Sequence, residues 1–341
     1  MSLFSHIRDH VLICGHSAIA GWCLLVFLIA SGGLSAGHLK AGMVPSVFFL
    51  TLAAAALTGN GVYALNAYHD REIDRINKPG RPIPSGRMTP EHAFRYAVSL
   101  MALGLFLSLA VSAFTGRYLT FVLWSFFTLL GIAYSTPPLK LKARHIFGNL
   151  CFAAFAALTF TISNVALGIA IANLSVYIAS ISLLCILVVG LVTMKDFHDY
   201  EGDKAKGDIT FPVKVGKIRS AAISMAFMVA FVVFYVPLYP ERLSSFSIFF
   251  QWYWFYLVLP VSFGVYVALE HFGGSTISNA YSGTQYYSVI FLVGYLFLRG
   301  PLGLPSPASY IEIAIILSLY ALSAFTFVYI AAKKGITPKP K

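Results

Sequence analysis

The stretch that decides the architecture is residues 44–74, VPSVFFLTLAAAALTGNGVYALNAYHDREID. Its first part, residues 44–65, is uncharged and apolar, and a helix needs about 20 such residues to cross a bilayer. Carboxylates follow at once, at Asp70, Glu72 and Asp74. An acid inside a span costs about 2.5–3.5 kcal/mol on insertion scales. We therefore expect these acids to cap a water-accessible cavity at the membrane face.

The composition extends this interpretation to the whole chain. Of the 341 residues, 58% are hydrophobic and 11% are charged, whereas a soluble domain carries roughly 25% charged residues. This excludes an ordinary cytosolic enzyme, a disordered chain and a nucleic-acid-binding domain, despite the net charge of +11. We predict an all-α polytopic membrane protein, a single domain over 1–341, with about nine or ten transmembrane helices in a bundle around a central cavity. The candidate spans are 12–31, 44–65, 96–114, 118–135, 149–170, 173–193, 220–239, 248–268, 284–298 and 309–331.

The positions of Lys and Arg predict the orientation. With a cytoplasmic amino terminus and ten spans, twenty of the 24 basic residues lie on the cytoplasmic side, as the positive-inside rule requires. We expect a multi-pass protein, in the inner membrane if the source is bacterial. The segments 66–92, 136–148 and 194–219 then form a cytoplasmic mouth of the active site.

A second acidic window follows the sixth apolar run. It holds Asp196, Asp199, Glu201, Asp203 and Asp208, so eight of the thirteen acids lie in two short windows. Asp70 and Asp199 are 129 residues apart, as are Asp74 and Asp203. This uniform offset predicts two related halves, each contributing one acidic helix end.

Helical spacing predicts which of these side chains share a face. Asn66, Asp70 and Asp74 follow each other at four-residue intervals, and Asp196, Asp199 and Asp203 at intervals of three and four, so each set forms one stripe if the helices continue. Aligned carboxylates repel one another unless a cation lies between them. Mg²⁺ is the expected cation, because it prefers oxygen ligands and is commonly shared with substrate phosphates.

Basic residues lie beside the acids on the same membrane face. Arg81 and Arg87 occur in a proline-rich loop after the first window, and their planar guanidinium groups suit phosphate. Lys140, Lys142 and Arg144 follow the fourth apolar run. For these three, a role in orienting the protein or in contacting lipid headgroups is an equal alternative.

These motifs together resemble the UbiA superfamily of intramembrane prenyltransferases. The match rests on Asn66-x-x-x-Asp70-x-x-x-Asp74, the following Arg-Pro-Ile-Pro-Ser-Gly-Arg, a Tyr-Ser-x-Pro-Pro-Leu-Lys segment from Tyr134, and Asp199-x-x-x-Asp203 preceded by Asp196. The branch with chlorophyll synthases, homogentisate prenyltransferases and archaeal ether-lipid synthases is the most similar. The resemblance implies two magnesium ions holding the diphosphate of a prenyl donor.

The resemblance also implies roles for individual residues. Those expected to act in catalysis are Asp70, Asp74, Asp199, Asp203 and Tyr134. The expected metal ligands are Asn66, Asp70, Asp74, Asp196, Asp199 and Asp203. The expected diphosphate-binding residues are Asn66, Arg81, Arg87, Lys140 and Lys142.

The expected reaction is Mg²⁺-dependent transfer of an isoprenoid chain from a prenyl diphosphate to a lipophilic acceptor in the membrane. An aromatic or quinone precursor is the first choice of acceptor, and a glycerol phosphate or a tetrapyrrole is the alternative. Tyr68, Tyr134 and Tyr200 are candidates to stabilise an allylic cation, and His69 and His198 to remove a proton. Acceptor-less terpene cyclisation on the same fold and, more distantly, ion transport remain open.

Overall fold

The structure is a computed structural model that describes residues 3–14, 44–168 and 174–238. The chain divides into two compact units, Met1–Ala172 with Glu201–Thr210, and Asn173–Tyr200 with Phe211–Lys341. The helices are α1 (Leu3–Ile13), α2 (Val44–His69), α3 (Arg71–Asn77), α4 (Pro90–Thr115), α5 (Leu119–Ser135), α6 (Ile146–Leu167), α7 (Leu174–Lys195), α8 (Tyr200–Lys206), α9 (Phe211–Val215) and α10 (Lys217–Leu238).

Six of the predicted spans coincide with long helices. Spans 44–65, 96–114, 118–135, 149–170, 173–193 and 220–239 correspond to α2, α4, α5, α6, α7 and α10. Among the described residues, α4 and α6 are long and apolar enough to cross a membrane, and α5 is shorter but apolar. Most of span 12–31, and all of 248–268, 284–298 and 309–331, lie outside the described residues, so the count of nine or ten spans stays a prediction.

Helix α4 begins six residues before the predicted span, at Pro90 rather than residue 96. Thr89 caps it by accepting a hydrogen bond from the His92 backbone amide, and Pro90 occupies the first helical position, where its missing N–H costs nothing. Hydropathy alone finds the apolar part of a helix and misses this polar first turn. The helix ends at Thr115, and the next residue, Gly116, has a φ of +69° that favours glycine.

Close packing of α2 on α4 forms the centre of the first unit. A Cβ added to Gly104 would meet the Thr58 hydroxyl and lie 2.9 Å from the Thr58 backbone nitrogen, and one added to Gly61 would lie 2.9 Å from Met101 N. Glycines therefore let the two backbones approach closely, as small residues do between transmembrane helices.

Large apolar side chains point outward from α4 and α5. Phe106 is 65% exposed and Phe114 is 73% exposed on α4, and Val122, Phe126 and Leu129 are more than half exposed on α5. Exposed apolar surface of this extent marks contact with lipid or a partner. It agrees with the prediction that these helices face a bilayer.

The two acidic windows have the same local architecture. In each, a long helix ends and a seven-residue helix follows, α3 over Arg71–Asn77 and α8 over Tyr200–Lys206. These short helices are again 129 residues apart. After α8 the chain forms strand β2 (Ile209–Thr210), which pairs in parallel with β1 (Arg144–His145). The repeated helix break supports the prediction of two related halves.

Candidate active site at the helix breaks

The first acidic stripe lies at the junction of α2 and α3. The stripe is expected on the condition that the helix continues; instead α2 ends at His69, and Asp70 adopts φ −88° and ψ 5°. The helical register survives the break, since Asp70 N donates to Asn66 O at 2.8 Å and Asp74 N donates to Asp70 O at 2.7 Å. Asn66, Asp70 and Asp74 therefore occupy consecutive turns, as their spacing predicts.

The Asp70 carboxylate is held from two directions. Asn66 Nδ2 donates to its Oδ2 at 2.8 Å, and Lys142 Nζ forms an ion pair with its Oδ1. The side chains of Asp70 and Lys142 are each only 11% exposed. Ser135 at the end of α5 donates to Asn66 Oδ1 at 3.2 Å and thereby orients the asparagine. Sequence reasoning missed Ser135, because only the packing of α5 against α2 brings it near.

The Asp74 carboxylate faces the proline-rich loop. Arg81 NH1 donates to Asp74 Oδ2 at 2.7 Å, and Lys78 Nζ lies 3.8 Å from Oδ1. Asp74 is 3% exposed, whereas Arg81 is 24% exposed. The guanidinium group thus pairs with a buried carboxylate while part of it stays accessible.

The segment after α5 reaches both acidic windows within the first unit. Lys142 contacts Asp70, whereas Lys140 Nζ donates to Asp208 Oδ1 at 2.7 Å. Lys140 adopts a left-handed conformation with φ +37°. Lys140 and Lys142, two residues apart, therefore contact different carboxylates. The parallel β1–β2 pairing, with Arg144 opposite Ile209, fastens the same two segments together.

Within the first unit, Gly202 of the second window contacts the first window through a hydrogen bond from its backbone amide to a side chain. Gly202 N, in α8, donates to Asn77 Oδ1, at the end of α3, at 2.9 Å. A Cβ at Gly202 would collide with the Asn77 side chain, so glycine is needed for this contact. The next residue, Asp203, is buried at 6% exposure.

Asp196 and Asp199 belong to the second compact unit. Asp196 is the first residue of a 3₁₀ turn over Asp196–His198, and Asp199 is the residue after it. Asp199 N donates a hydrogen bond to Asp196 O at 3.2 Å. Both residues are half-buried. In the same unit, Lys217 Nζ lies 4.6 Å from the centre of the Tyr200 ring, a cation–π contact.

Arg87 has partners that the sequence did not suggest. Its Nε donates to Asp9 Oδ1 at 3.0 Å, and its NH2 donates to Gly80 O at 2.9 Å. Asp9, on α1, is 2% exposed. No motif draws attention to Asp9, although a lone carboxylate directly before an apolar run is a usable signal.

His69 ends α2 at this junction, and Tyr134 lies near the end of α5. Burial lowers the pKa of His69, and the neighbouring Asp70 carboxylate opposes this shift; the lowered pKa favours the neutral imidazole, the form that accepts a proton. Its Nε2 lies 3.2 Å from the Thr136 hydroxyl. Tyr134 is buried and packs edge-to-face on Phe152 and Phe155.

Asn66, Asp70 and Asp74 present hard oxygen ligands of the kind Mg²⁺ takes. The Asp70 Oδ1 atom is buried and its contact is the Lys142 ammonium group, so its lone pairs suit a metal once Lys142 moves aside. Among residues 3–14, 44–168 and 174–238, no group of three or more His, Cys, Asp or Glu side chains is arranged to hold a metal ion. The donor chemistry therefore fits, while the cations now at the carboxylates are Lys142, Arg81 and Lys78.

Comparison with known proteins points to one family. The model of the UbiA prenyltransferase family matches residues 19–282. Digeranylgeranylglyceryl phosphate synthase from Methanococcus maripaludis is 32% identical over 271 residues, covering 78% of this chain and 91% of that protein. The enzyme of the same name from Thermococcus gammatolerans is 31% identical over 215 residues, covering 62% of this chain and 72% of that protein.

Solved structures have the same fold. A UbiA homologue from Archaeoglobus fulgidus, bound to DMAPP and Mg²⁺, superposes with a TM-score of 0.59 at 19% identity, covering 83% of this chain and 99% of that one. A structure described as digeranylgeranylglyceryl phosphate synthase in membranes gives 0.58 at 20% identity, covering 87% and 99%.

Proposed function

Because the chain belongs to the UbiA prenyltransferase family, we propose that it transfers a prenyl group from a prenyl diphosphate to a glycerol-phosphate lipid. One observation carries the proposal: Asp70 and Asp74 are buried carboxylates on consecutive helical turns, and each contacts a basic residue from a neighbouring loop. Such a site suits a divalent cation and a diphosphate bound together.

The relatives favour a glycerol-phosphate acceptor over the aromatic acceptor that the sequence analysis put first. Both proteins reported above are named digeranylgeranylglyceryl phosphate synthase, a name that describes two prenyl chains on a glycerol phosphate. The acceptor would then be a lipid that already carries one chain. Its free hydroxyl is the nucleophile, and its phosphate needs basic residues at the membrane face.

We assign the metal-holding role to both acidic windows. Asn66, Asp70 and Asp74 would hold one Mg²⁺, and the resemblance of the sequence motif assigns a second to Asp196, Asp199 and Asp203. Bound Mg²⁺ supplies electrostatic stabilisation of the charge that develops on the leaving diphosphate. Cytoplasmic orientation of the amino terminus and of the segments 66–92, 136–148 and 194–219 is part of the same proposal.

Among the basic residues, Arg81 and Lys142 are assigned to the diphosphate because each lies at a carboxylate of the metal stripe. Arg87 and Lys140 instead pair with Asp9 and Asp208. We assign these two to holding the loops around the site.

The transfer step breaks the bond between the allylic carbon and the diphosphate oxygen, whose electron pair leaves with diphosphate. The acceptor hydroxyl oxygen forms a new ether bond to that carbon and loses its proton to a base, for which neutral His69 is the candidate. Tyr134, packed on Phe152 and Phe155, would present an aromatic face to the developing cation and exclude water from it.

The direct test is an assay of the purified protein in nanodiscs with Mg²⁺ and radiolabelled geranylgeranyl diphosphate. Geranylgeranylglyceryl phosphate and an aromatic acid are supplied as competing acceptors. We expect a diether phosphate as the labelled product. A labelled prenylated aromatic acid would reverse the choice of acceptor, and a cyclic hydrocarbon or alcohol formed without any acceptor would show a cyclase.

Matched carboxylate variants test the site in the same assay. Asp70→Asn removes the charge of a buried stripe residue, so we expect turnover to fall about 100-fold or more. Glu72→Gln is the control, because Glu72 is 45% exposed and pairs with Arg75; we expect less than about a twofold change. Equal turnover in the wild type and Asp70→Asn would refute the proposed site, and Mg²⁺ flux without diphosphate release would favour a transporter.

A further inference from the structure

In this structure the bases assigned to the diphosphate are bound to the carboxylates assigned to the metal. Lys142 pairs with Asp70, and Arg81 pairs with Asp74 at 2.7 Å. All four side chains are largely buried, with exposed fractions of 11% for Lys142 and Asp70, 24% for Arg81 and 3% for Asp74. These are therefore two enclosed ion pairs within the first unit.

Because the carboxylates are buried, each ion pair stabilises the protein when no ligand is bound. A buried carboxylate without a partner is strongly destabilising, so an opposite charge must accompany it. Lys142 and Arg81 supply that charge. A divalent cation that binds Asp70 or Asp74 must first displace the ammonium or guanidinium group, because two cations crowded on one carboxylate repel each other.

A bound diphosphate removes this conflict. It offers the displaced Lys142 and Arg81 a new anionic partner, at which charge-assisted hydrogen bonds are again strong. If the metal binds alone, it takes the carboxylates and leaves the enclosed Lys142 and Arg81 without an anionic partner. Metal with diphosphate leaves every charge paired.

We propose that Lys142 and Arg81 are exchangeable counter-ions of Asp70 and Asp74, which move from carboxylate to diphosphate when Mg²⁺ and the donor bind together. This inference rests on the proposed function, since it takes Mg²⁺ and a diphosphate as ligands of this site. It adds that the ligand-free protein resists metal binding and that the two ligands bind with positive coupling.

Lys78 is a second, more distant cation at Asp74, 3.8 Å from its Oδ1. Three further basic residues do not take part in the exchange. Lys140 pairs with Asp208 and Arg87 with Asp9, and neither carboxylate belongs to the metal stripes. Arg75 pairs with the exposed Glu72 at 2.7 Å. Arg75 lies on α3, like Asp74. Replacing Arg75 with Gln removes one positive charge, as Lys142→Gln does, but does not release a stripe carboxylate.

The first experiment measures Mn²⁺ binding to the protein in nanodiscs by electron paramagnetic resonance, without and with inorganic diphosphate. Mn²⁺ is the probe because it takes the same carboxylate oxygens as Mg²⁺. In the absence of diphosphate we expect Lys142→Gln to bind Mn²⁺ about tenfold more tightly than the wild type. Arg75→Gln should change the affinity less than about twofold. In Lys142→Gln the coupling between Mn²⁺ and diphosphate should shrink.

The second experiment uses the wild type, so it does not depend on the variant folding. Acylation of Lys142 by a water-soluble ester is followed by mass spectrometry. Saturating Mg²⁺ alone should raise the rate several-fold as Lys142 leaves Asp70. Inorganic diphosphate added with Mg²⁺ should lower the rate again, as the ammonium group is captured.

The outcomes separate this inference from the proposed function. If Mn²⁺ binds but Lys142→Gln binds it no more tightly than Arg75→Gln, or if Mg²⁺ leaves the acylation of Lys142 unchanged, the exchange is refuted while the prenyltransferase site stands. If the wild type binds neither Mn²⁺ nor diphosphate, the proposed site fails and the exchange fails with it.

Discussion

Arg87 donates from Nε to the carboxylate of Asp9, 3.0 Å away, and so ties α1 to the loop that follows α3. The same guanidinium group donates to Gly80 O. Asp9 is almost completely buried, and Arg87 is 32% exposed. An arginine that the family resemblance marks for diphosphate thus connects the amino-terminal helix to the edge of the site.

Replacing Asp9 with Ala should destabilise the protein by about 1–3 kcal/mol, because it removes a charge-assisted hydrogen bond and leaves Arg87 without its carboxylate. Thermal unfolding of the detergent-solubilised protein measures the effect. Arg8→Gln is the control, since Arg8 is 50% exposed and 3.5 Å from Asp9; its cost should stay below about 0.5 kcal/mol. Equal losses in both variants would contradict the specific role of Arg87.

Replacing Asn77 with Leu should lower kcat/KM for the prenyl diphosphate roughly tenfold. The change leaves the Gly202 amide without its acceptor, a loss of about 1–3 kcal/mol, and loosens the helix that carries Asp203. Steady-state kinetics with Mg²⁺ in nanodiscs provide the measurement. Asn77→Asp keeps the acceptor oxygen and should retain more activity than Asn77→Leu; the reverse order would disprove this role.

Replacing Gly104 with Ala should cost about 1–3 kcal/mol by overpacking α4 against α2. The added Cβ would meet the Thr58 side chain and backbone and lie 3.1 Å from Ala54 O. Thermal unfolding again measures the change. Gly80→Ala places a Cβ with nothing within 4 Å, so its melting temperature should match that of the wild type, and a comparable drop there would mean that helix packing is not the cause.

The Lys140–Asp208 pair should show a coupling energy of roughly 1 kcal/mol in a double-mutant cycle. The two groups lie 2.7 Å apart, with side chains 26% and 10% exposed, so solvent screens the pair only in part. The cycle uses Lys140→Gln, Asp208→Asn and the double variant, followed by thermal unfolding. Strictly additive losses would show that the β1–β2 pairing alone holds these segments.

Helix register and the repeat could be predicted because both depend on local spacing. Asn66, Asp70 and Asp74 follow each other at helical spacing, which the sequence shows directly. The 129-residue offset predicted two related halves, and α3 and α8 are separated by the same offset. The break at Asp70 could not be predicted, because no proline or glycine lies between Asn66 and Asp74, and Asp70 leaves the α region only by a change in ψ, to 5°. The span 96–114 was predicted from hydropathy. The true start of α4 at Pro90 was missed because the first turn and its Thr89 cap are polar.

The sequence by itself determined that the chain is a helical membrane protein with two acidic helix ends, because charge is too costly in a bilayer to be placed freely. It also predicted which residues would hold metal and diphosphate. Only the tertiary structure decided which base meets which acid: Lys142 with Asp70, Arg81 with Asp74, Lys140 with Asp208 and Arg87 with Asp9. Three of these pairings join residues far apart in the chain, and ion pairing is set by distance in space, which helix packing and loop conformation determine.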